Sequence, residues 1–336
     1  TVGFGGHSSR ILDYIDKDGQ LIGLDLDPYA LEYSNKHLSV HLSSFLLYHA
    51  NYAKFPEIIN SMGIRKLNGM LFDLGTSSYQ VDSKHRGFSY MKNSPLDMRF
   101  NNADSNISTA EDVINTISEK NLSTALKKYG DLQNHLNIAK CIINEREKKP
   151  IHTTFDLKNA ICKALPYENY KKLSIVFQVV RILVNDEIET IKNTLKNTID
   201  YLKIGGRIAI ISFHSIEDRI VKHFFKDQVI YTDLSYQIEY KNSNSKFKII
   251  TKKPFGFFSS TSIASLAISV VVGVLPSYAL PNALCANRPN TRLFSSRGVS
   301  MLSINCAPLF SYSKIRLSGQ NFFPPPKITS ISWLAY

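Results

Sequence analysis

A glycine-rich loop restricts the fold of this chain more than any other segment. Residues 1–8 read TVGFGGHS and run into a predicted helix from Ser9 onward. Glycines let a backbone turn tightly and approach a ligand closely. A short apolar strand, LIGLD, then ends at Asp25, about where nucleotide-binding units place the carboxylate that binds ribose. The loop alone is equally consistent with a simple turn, but loop, strand and acid together favour an α/β fold that binds a nucleoside.

We predict different roles for the two acids at the end of this strand, Asp25 and Asp27. Asp27 precedes Pro28 and a helical pattern, which is typical of an N-cap residue followed by the first residue of a helix. Asp25 lies at the carboxyl end of the strand and is therefore the better candidate for a ribose ligand.

Two further candidates follow the next predicted strands. Tyr52 comes just after the strand 44–48, where an adenine could stack on its ring; a core-edge aromatic residue is the equal alternative. Asp73 ends the strand 67–73 and precedes a small polar turn at 74–80. In a parallel sheet it would lie beside the glycine loop, so we predict a catalytic role for it, with the N-cap of a turn as the alternative.

The segment after this turn is irregular and combines aromatic with basic side chains. Such interleaving suits stacking on bases and pairing with phosphates, and a packed surface loop is the alternative. His214, after the strand 207–213, is either an acid/base residue or a hydrogen-bonding loop residue. The residues predicted to contact RNA are Arg86, Phe88, Tyr90, Arg99 and His214.

Helical patterns dominate residues 105–182, between two stretches with strand signals. A helical block in that position is typical of an inserted domain. We therefore predict a sheet domain formed by 1–104 and 183–254, with a helical insert at 105–182 between them. Residues 255–336 contain six Lys or Arg and no Asp or Glu, and this change in composition marks a boundary. This acid-free tail is expected to be disordered or non-native.

Composition narrows the remaining functions. The net charge of +12 suits an anionic partner. The four cysteines show no spacing typical of a metal site, so no metal is predicted. The apolar segment 263–275 is shorter than the ~20 residues of a spanning helix, so membrane contact by this segment is not favoured.

At this point the sequence resembles a known family, the MraW family of ribosomal RNA small-subunit methyltransferases. The matching blocks lie between residues 1 and 254: TVGFGGHS, LDLDP, FDLGTSSYQVD, RGFSYM, PLDMR, FQVVRILVNDE and GGRIAIISFHSIEDRIVK. The resemblance implies a Rossmann-like fold of the class I methyltransferases, S-adenosylmethionine as cofactor, and methylation of the exocyclic N4 of a cytidine. It implies cofactor contacts at Gly5, Gly6, His7, Asp25, Tyr52, Asp73 and Gln80.

The resemblance also implies ribosomal RNA, or the small ribosomal subunit, as partner, with the helical insert at 105–182 as the domain that binds the RNA substrate. It implies a location in a bacterial cytoplasm or an organelle and leaves a homodimer open. Family members usually have Phe at the position of Tyr52, Val at that of Thr76 and Pro at that of Tyr79. Their first strand precedes the glycine loop and is missing here, and no match follows Pro254. The chain is thus expected to be a truncated member with an unrelated tail. The alternative function is an inactive remnant that binds RNA or is tethered to a membrane.

Overall fold

The structure is a computed structural model, and it describes residues 2–165 and 169–228 together with six short strands beyond them. The helices are α1 (Gly6–Leu12), α2 (Pro28–Leu38), α3 (Phe55–Ser61), α4 (Ser78–Asp82), α5 (Ala110–Thr116), α6 (Glu119–Gly130), α7 (His135–Lys148), α8 (Thr154–Lys163), α9 (Tyr170–Asn185), α10 (Glu187–Tyr201) and α11 (Ser215–Gln228). The strands are β1 (Gln20–Asp25), β2 (Ser44–His49), β3 (Leu67–Asp73), β4 (Leu202–Ser212), β5 (Thr232–Asp233), β6 (Ile238–Glu239), β7 (Phe247–Ile249), β8 (Phe255–Phe257), β9 (Leu266–Val274) and β10 (Ser332–Ala335).

One mixed sheet carries the fold, in the order β2-β1-β10-β3-β4-β9-β7. The first five strands of this order run parallel, and β9 pairs antiparallel with β4. Strands of a parallel sheet are buried on both faces, and β1, β3 and β4 accordingly contribute core residues such as Leu24, Phe72 and Ile210. The carboxyl ends of the parallel strands meet at one edge, which brings Asp25 and Asp73 to the same side. This is the Rossmann-like α/β arrangement that the sequence predicts.

The described residues between 105 and 182 form helices α5 to α9, joined by short connections. Helix α9 buries Leu173, Val176, Phe177 and Val180, the i, i+3, i+4, i+7 spacing of a helix that packs one face against a core. This core is separate from the core beneath the sheet. It also contains Leu96 and Met98, so the packing of the helical block begins before residue 105, where the sequence places its boundary.

The tail departs from the sequence-based expectation. Segments β8, β9 and β10 all come from residues 255–336, yet each pairs as a strand of the sheet. These three segments are therefore ordered as strands, and the expectation that the tail is non-native stays a prediction. Strand β10 lies between β1 and β3 and pairs in parallel with both. The segment 263–275, considered for membrane contact, largely coincides with β9, and among the described residues no helix is long and apolar enough to cross a membrane.

Gly87 provides a test of the packing within the segment that follows α4. Its φ is +72°, and a Cβ there would lie 2.5 Å from the carbonyl oxygen of Pro95 and 2.7 Å from the amide of Asp97. Gly63 has nearly the same φ, +70°, but its Cβ would meet no described atom within 4 Å. We expect Gly87→Ala to lower the free energy of unfolding by about 1–3 kcal/mol more than Gly63→Ala, because only Gly87→Ala adds overpacking to backbone strain. Urea unfolding of both variants measures this difference, and equal losses would contradict it.

Candidate active site at the carboxyl edge of the sheet

The glycine loop is held against the end of β1 by Asp25. The amide of Gly3 donates to Oδ2 of Asp25 at 2.8 Å, and the amide of Asp27 donates to Oδ1 at 2.9 Å. Gly3 and Gly5 have φ of +54° and +81°, which the missing Cβ permits. Asp25 is 5% exposed, so its charge is stabilised by these two amides. The structure thus joins Asp25 to the loop through Gly3, and Gly5 and Gly6 follow in the same loop.

Asp27 has a larger role than the sequence suggests. Its Oδ1 accepts from the amide of Tyr29, which confirms it as the N-cap of α2. Its Oδ2 accepts from the guanidinium of Arg86 at 2.7 Å and from the side-chain amide of Gln80 at 3.0 Å. Gln80 in turn forms a capping box with Ser77 at the start of α4. One buried carboxylate therefore ties together α2, α4 and the segment that follows α4.

His7 and Asp73 face each other across this edge. Nε2 of His7 lies 3.7 Å from Oδ2 of Asp73, and the two side chains are 31% and 24% exposed. Burial raises the pKa of the Asp73 carboxyl above its ordinary value, although the nearby His7 opposes the shift and Asp25 adds to it. The pair is thus reachable from solvent and lies next to the loop that Asp25 anchors.

Tyr52 lies in a one-turn helix after β2 and packs edge-on against Phe72, with ring centroids 6.1 Å apart. Burial raises the pKa of its hydroxyl well above the ordinary value, and the charges of Glu187 and Glu217 add to this. These contacts match the core-edge alternative. Stacking of an adenine on Tyr52 stays a prediction.

The structure does not support phosphate binding by the two predicted arginines. The Arg86 side chain is 7% exposed, and beyond its pair with Asp27 it donates to the carbonyls of Arg99 and Phe100. Arg99 is 13% exposed and donates to both oxygens of Asp97. Both guanidinium groups are therefore already used inside the protein, where an RNA phosphate would have to displace a carboxylate.

The predicted RNA-stacking residues Phe88 and Tyr90 also have partners within the protein. Phe88 stacks on Phe100, and Tyr90 meets Phe177 edge-on with centroids 5.6 Å apart. Both pack against the core of the helical block. The structure therefore matches the alternative of a packed loop that joins the sheet domain to the helices.

His214 belongs to a buried charged cluster rather than to an open loop. Its Nε2 lies 3.2 Å from Oε1 of Glu217, which is fully buried. Arg181 donates to both oxygens of Glu187. Burial alone would raise the pKa of Glu217, but His214 and then Arg181 hold it below the ordinary value. Although ligand atoms of Glu187, His214 and Glu217 lie within 4.8 Å of one another, the guanidinium of Arg181 already supplies positive charge there, so this cluster does not fit a metal ion.

A cluster of aromatic rings beside the glycine loop escaped the sequence analysis. Phe4 meets Tyr29, Tyr33 and Tyr79 edge-on, and Tyr29 stacks on Tyr79 with centroids 4.6 Å apart. The three tyrosines are 38–49% exposed. Each residue stands within a few positions of a quoted motif, but only the fold brings loop, α2 and α4 together.

Comparisons with known proteins relate most of this chain to one family. The model of the MraW methylase family matches residues 1–262. A protein of Fusobacterium nucleatum named ribosomal RNA small subunit methyltransferase H is 42% identical over 257 residues, which cover 76% of this chain and 81% of that protein. Proteins of the same name are 40% identical in Caldicellulosiruptor bescii and 42% identical in Halothermothrix orenii, each over 76% of this chain and 83% of the relative.

Proposed function

The chain belongs to the MraW methylase family, and from this membership we infer that it methylates small-subunit ribosomal RNA with S-adenosylmethionine as methyl donor. Its relatives are named for that activity, and this chain matches most of their length. We further propose that the methylated atom is the exocyclic N4 of a cytidine.

The contact between Asp25 and the glycine loop supports the proposed binding of S-adenosylmethionine. Each carboxylate oxygen of Asp25 accepts one backbone amide, and a carboxylate oxygen has a second lone pair. Those lone pairs can accept the two ribose hydroxyls of the cofactor. A Cβ at Gly3 or Gly6 would meet no described atom within 4 Å, which leaves room for a ligand against the loop. The residues present therefore fit S-adenosylmethionine.

Asp73 and His7 are the groups best placed to orient the nucleophile. The bound cofactor supplies an electrophilic sulfonium methyl group. The amine of cytosine is a weak nucleophile because its lone pair is delocalised into the ring, so it has to be held in line with that methyl at about 3–3.5 Å. The carboxylate of Asp73 can accept a hydrogen bond from the amine N–H, which orients the amine and favours the positive charge that develops on it.

The alternative of an inactive, RNA-binding or tethered remnant is not favoured, since the loop, Asp25 and Asp73 are all in place. The test is transfer of a labelled methyl group from S-adenosylmethionine to isolated ribosomal subunits that lack the modification. We expect label in the RNA of the small subunit. Label confined to the large subunit, or to protein, would refute the proposal.

The raised pKa of Asp73 predicts a distinctive pH dependence. If the ionised carboxylate accepts the amine hydrogen bond, the rate of methyl transfer is maximal above the raised pKa and falls as the pH drops through it. The acid limb should therefore lie above the range of an ordinary aspartate. Asp73→Asn should lower the rate and remove this limb, whereas Asp82→Asn, at a side chain that is 77% exposed, should leave both unchanged. Circular dichroism at each pH excludes unfolding as the cause, and an unchanged limb in Asp73→Asn would contradict the assignment.

A further inference from the structure

A second site lies beside the candidate active site, where the helical block meets α11. A cavity of about 480 Å³ opens between the end of α6, the middle of α9 and the start of α11. Asp73 pairs with Ile211 in the sheet, and α11 begins four residues after Ile211, so the cavity borders the same edge as Asp73. None of the described residues that line it comes from the glycine loop, β1 or β3.

The cavity carries positive charge that the described residues do not neutralise. Lys127, Lys128 and Arg219 line it, against the single acid Asp131 among its described lining residues. Lys127 and Arg219 are exposed, and neither forms an ion pair with a described residue. The terminal guanidinium nitrogens of Arg86 and Arg99, in contrast, donate to carboxylates and carbonyls inside the protein. The free cations of this region therefore face the cavity.

Two uncharged features of the cavity allow it to recognise more of a ligand than its charge. Gln178 is half-buried on α9 and lines the cavity, and its side-chain amide makes no hydrogen bond with a described residue. An amide presents a donor and an acceptor side by side, which matches the edge of a base. Ser215 and Ile216, the first residues of α11, also line the cavity, so the helix start adds backbone N–H groups to the cations.

We propose that this cavity binds one nucleotide of single-stranded RNA, separate from the nucleotide that receives the methyl group. Lys127, Arg219 and the start of α11 hold the phosphate, and Gln178 reads the edge of the base. The inference rests on the proposed function, because it assigns to this cavity a neighbouring nucleotide of the same RNA. Bound there, that nucleotide anchors the strand next to Asp73 and helps to present the target base.

The test is the binding of a fluorescently labelled, mixed-sequence single-stranded RNA to the full chain, measured by anisotropy at several salt concentrations. Lys127→Ala/Arg219→Ala removes two cavity cations. Its matched control is Lys120→Ala/Lys226→Ala, which removes two exposed cations from the same helices, α6 and α11, outside the cavity. We expect the cavity variant to weaken binding strongly and to lower the slope of log K against log salt by about 0.7, since the two cations hold one phosphate and each phosphate contact contributes ~0.7 for single strands. The control should change both quantities much less.

Gln178→Met tests the base contact separately, because it keeps the size of the side chain and removes its hydrogen-bonding groups. We expect it to weaken RNA binding about tenfold with the salt slope unchanged. Calorimetric titration of S-adenosylmethionine should give the parent affinity in every variant. If the parent binds S-adenosylmethionine but not the RNA, or if cavity and control variants lose equal affinity, the cavity proposal is wrong. If the parent fails to bind S-adenosylmethionine, the proposed function fails, and the RNA comparison still decides whether the cavity binds nucleotides.

Discussion

Replacing Arg86 with alanine should lower the free energy of unfolding by about 3–5 kcal/mol, the cost of removing one partner from a buried ion pair. The Asp27 carboxylate is 2% exposed and lies 2.7 Å from the guanidinium. Without Arg86 it would keep its bonds to Tyr29 and Gln80 but lose its counter-charge. The carbonyls of Arg99 and Phe100 would lose a donor as well. Urea unfolding followed by circular dichroism measures the loss.

Arg10 supplies the matched control for this experiment. It pairs with Asp13 at 3.3 Å, but the two side chains are 53% and 43% exposed. Exposed pairs contribute about 0–1 kcal/mol, so Arg10→Ala should be nearly as stable as the parent. If Arg86→Ala proved as mild as Arg10→Ala, the buried link between Asp27 and the segment after α4 would not hold the site together as described.

Replacing Asp25 with alanine should abolish most of the affinity for S-adenosylmethionine. Two hydrogen bonds from ribose hydroxyls to a carboxylate contribute ~1.5 kcal/mol or more each, which corresponds to a loss of about 100-fold or more. The variant also loses the contact that holds Gly3 against β1. Isothermal titration calorimetry of the full chain with S-adenosylmethionine measures the affinity.

Asp27→Ala gives the contrasting result in the same titration. Asp27 holds α2, Gln80 and Arg86, so its loss should appear chiefly as lower stability. At a temperature where both variants remain folded, Asp25→Ala should be the weaker binder by a clear margin. Equal affinities in the two folded variants would show that Asp25 has no special role toward the ribose.

Short-range sequence patterns were sufficient to predict the helix cap, the strand end and the helices around the site. The cap at Asp27 follows from the adjacent Pro28 and the helical pattern after it, and the structure confirms it. The position of Asp25 follows from the strand that it ends. The sequence could likewise indicate helices between 105 and 182, because their apolar residues recur with helical spacing.

Ion pairs between residues that are distant in sequence could not be predicted in the same way. Arg86 and Asp27 are 59 residues apart, and an arginine beside aromatic residues is equally compatible with an exposed RNA contact and with a buried pair. Arg99 pairs with the carboxylate of Asp97 because the chain turns back between them, where Met98 has a φ of +60°. The decision between the two roles depends on burial, which only the tertiary fold determines.

The tail shows the same limit for strands. The apolar, β-branched run within 263–275 is compatible with a membrane segment, but such a run also suits a strand that is buried in a sheet. The four residues of β10 carry too little pattern to predict a strand at all. Their pairing between β1 and β3 depends on neighbours that lie about three hundred residues away in the chain.

The identity of the methylated atom tests the account most directly. Small ribosomal subunits that lack the modification are incubated with the full chain and labelled S-adenosylmethionine, and the RNA is then digested to nucleosides and analysed by mass spectrometry. The account predicts that the label appears in N4-methylcytidine with the parent and is lost with Asp25→Ala. Label in 5-methylcytidine or on a ribose, or no label from a parent that binds S-adenosylmethionine, would contradict it.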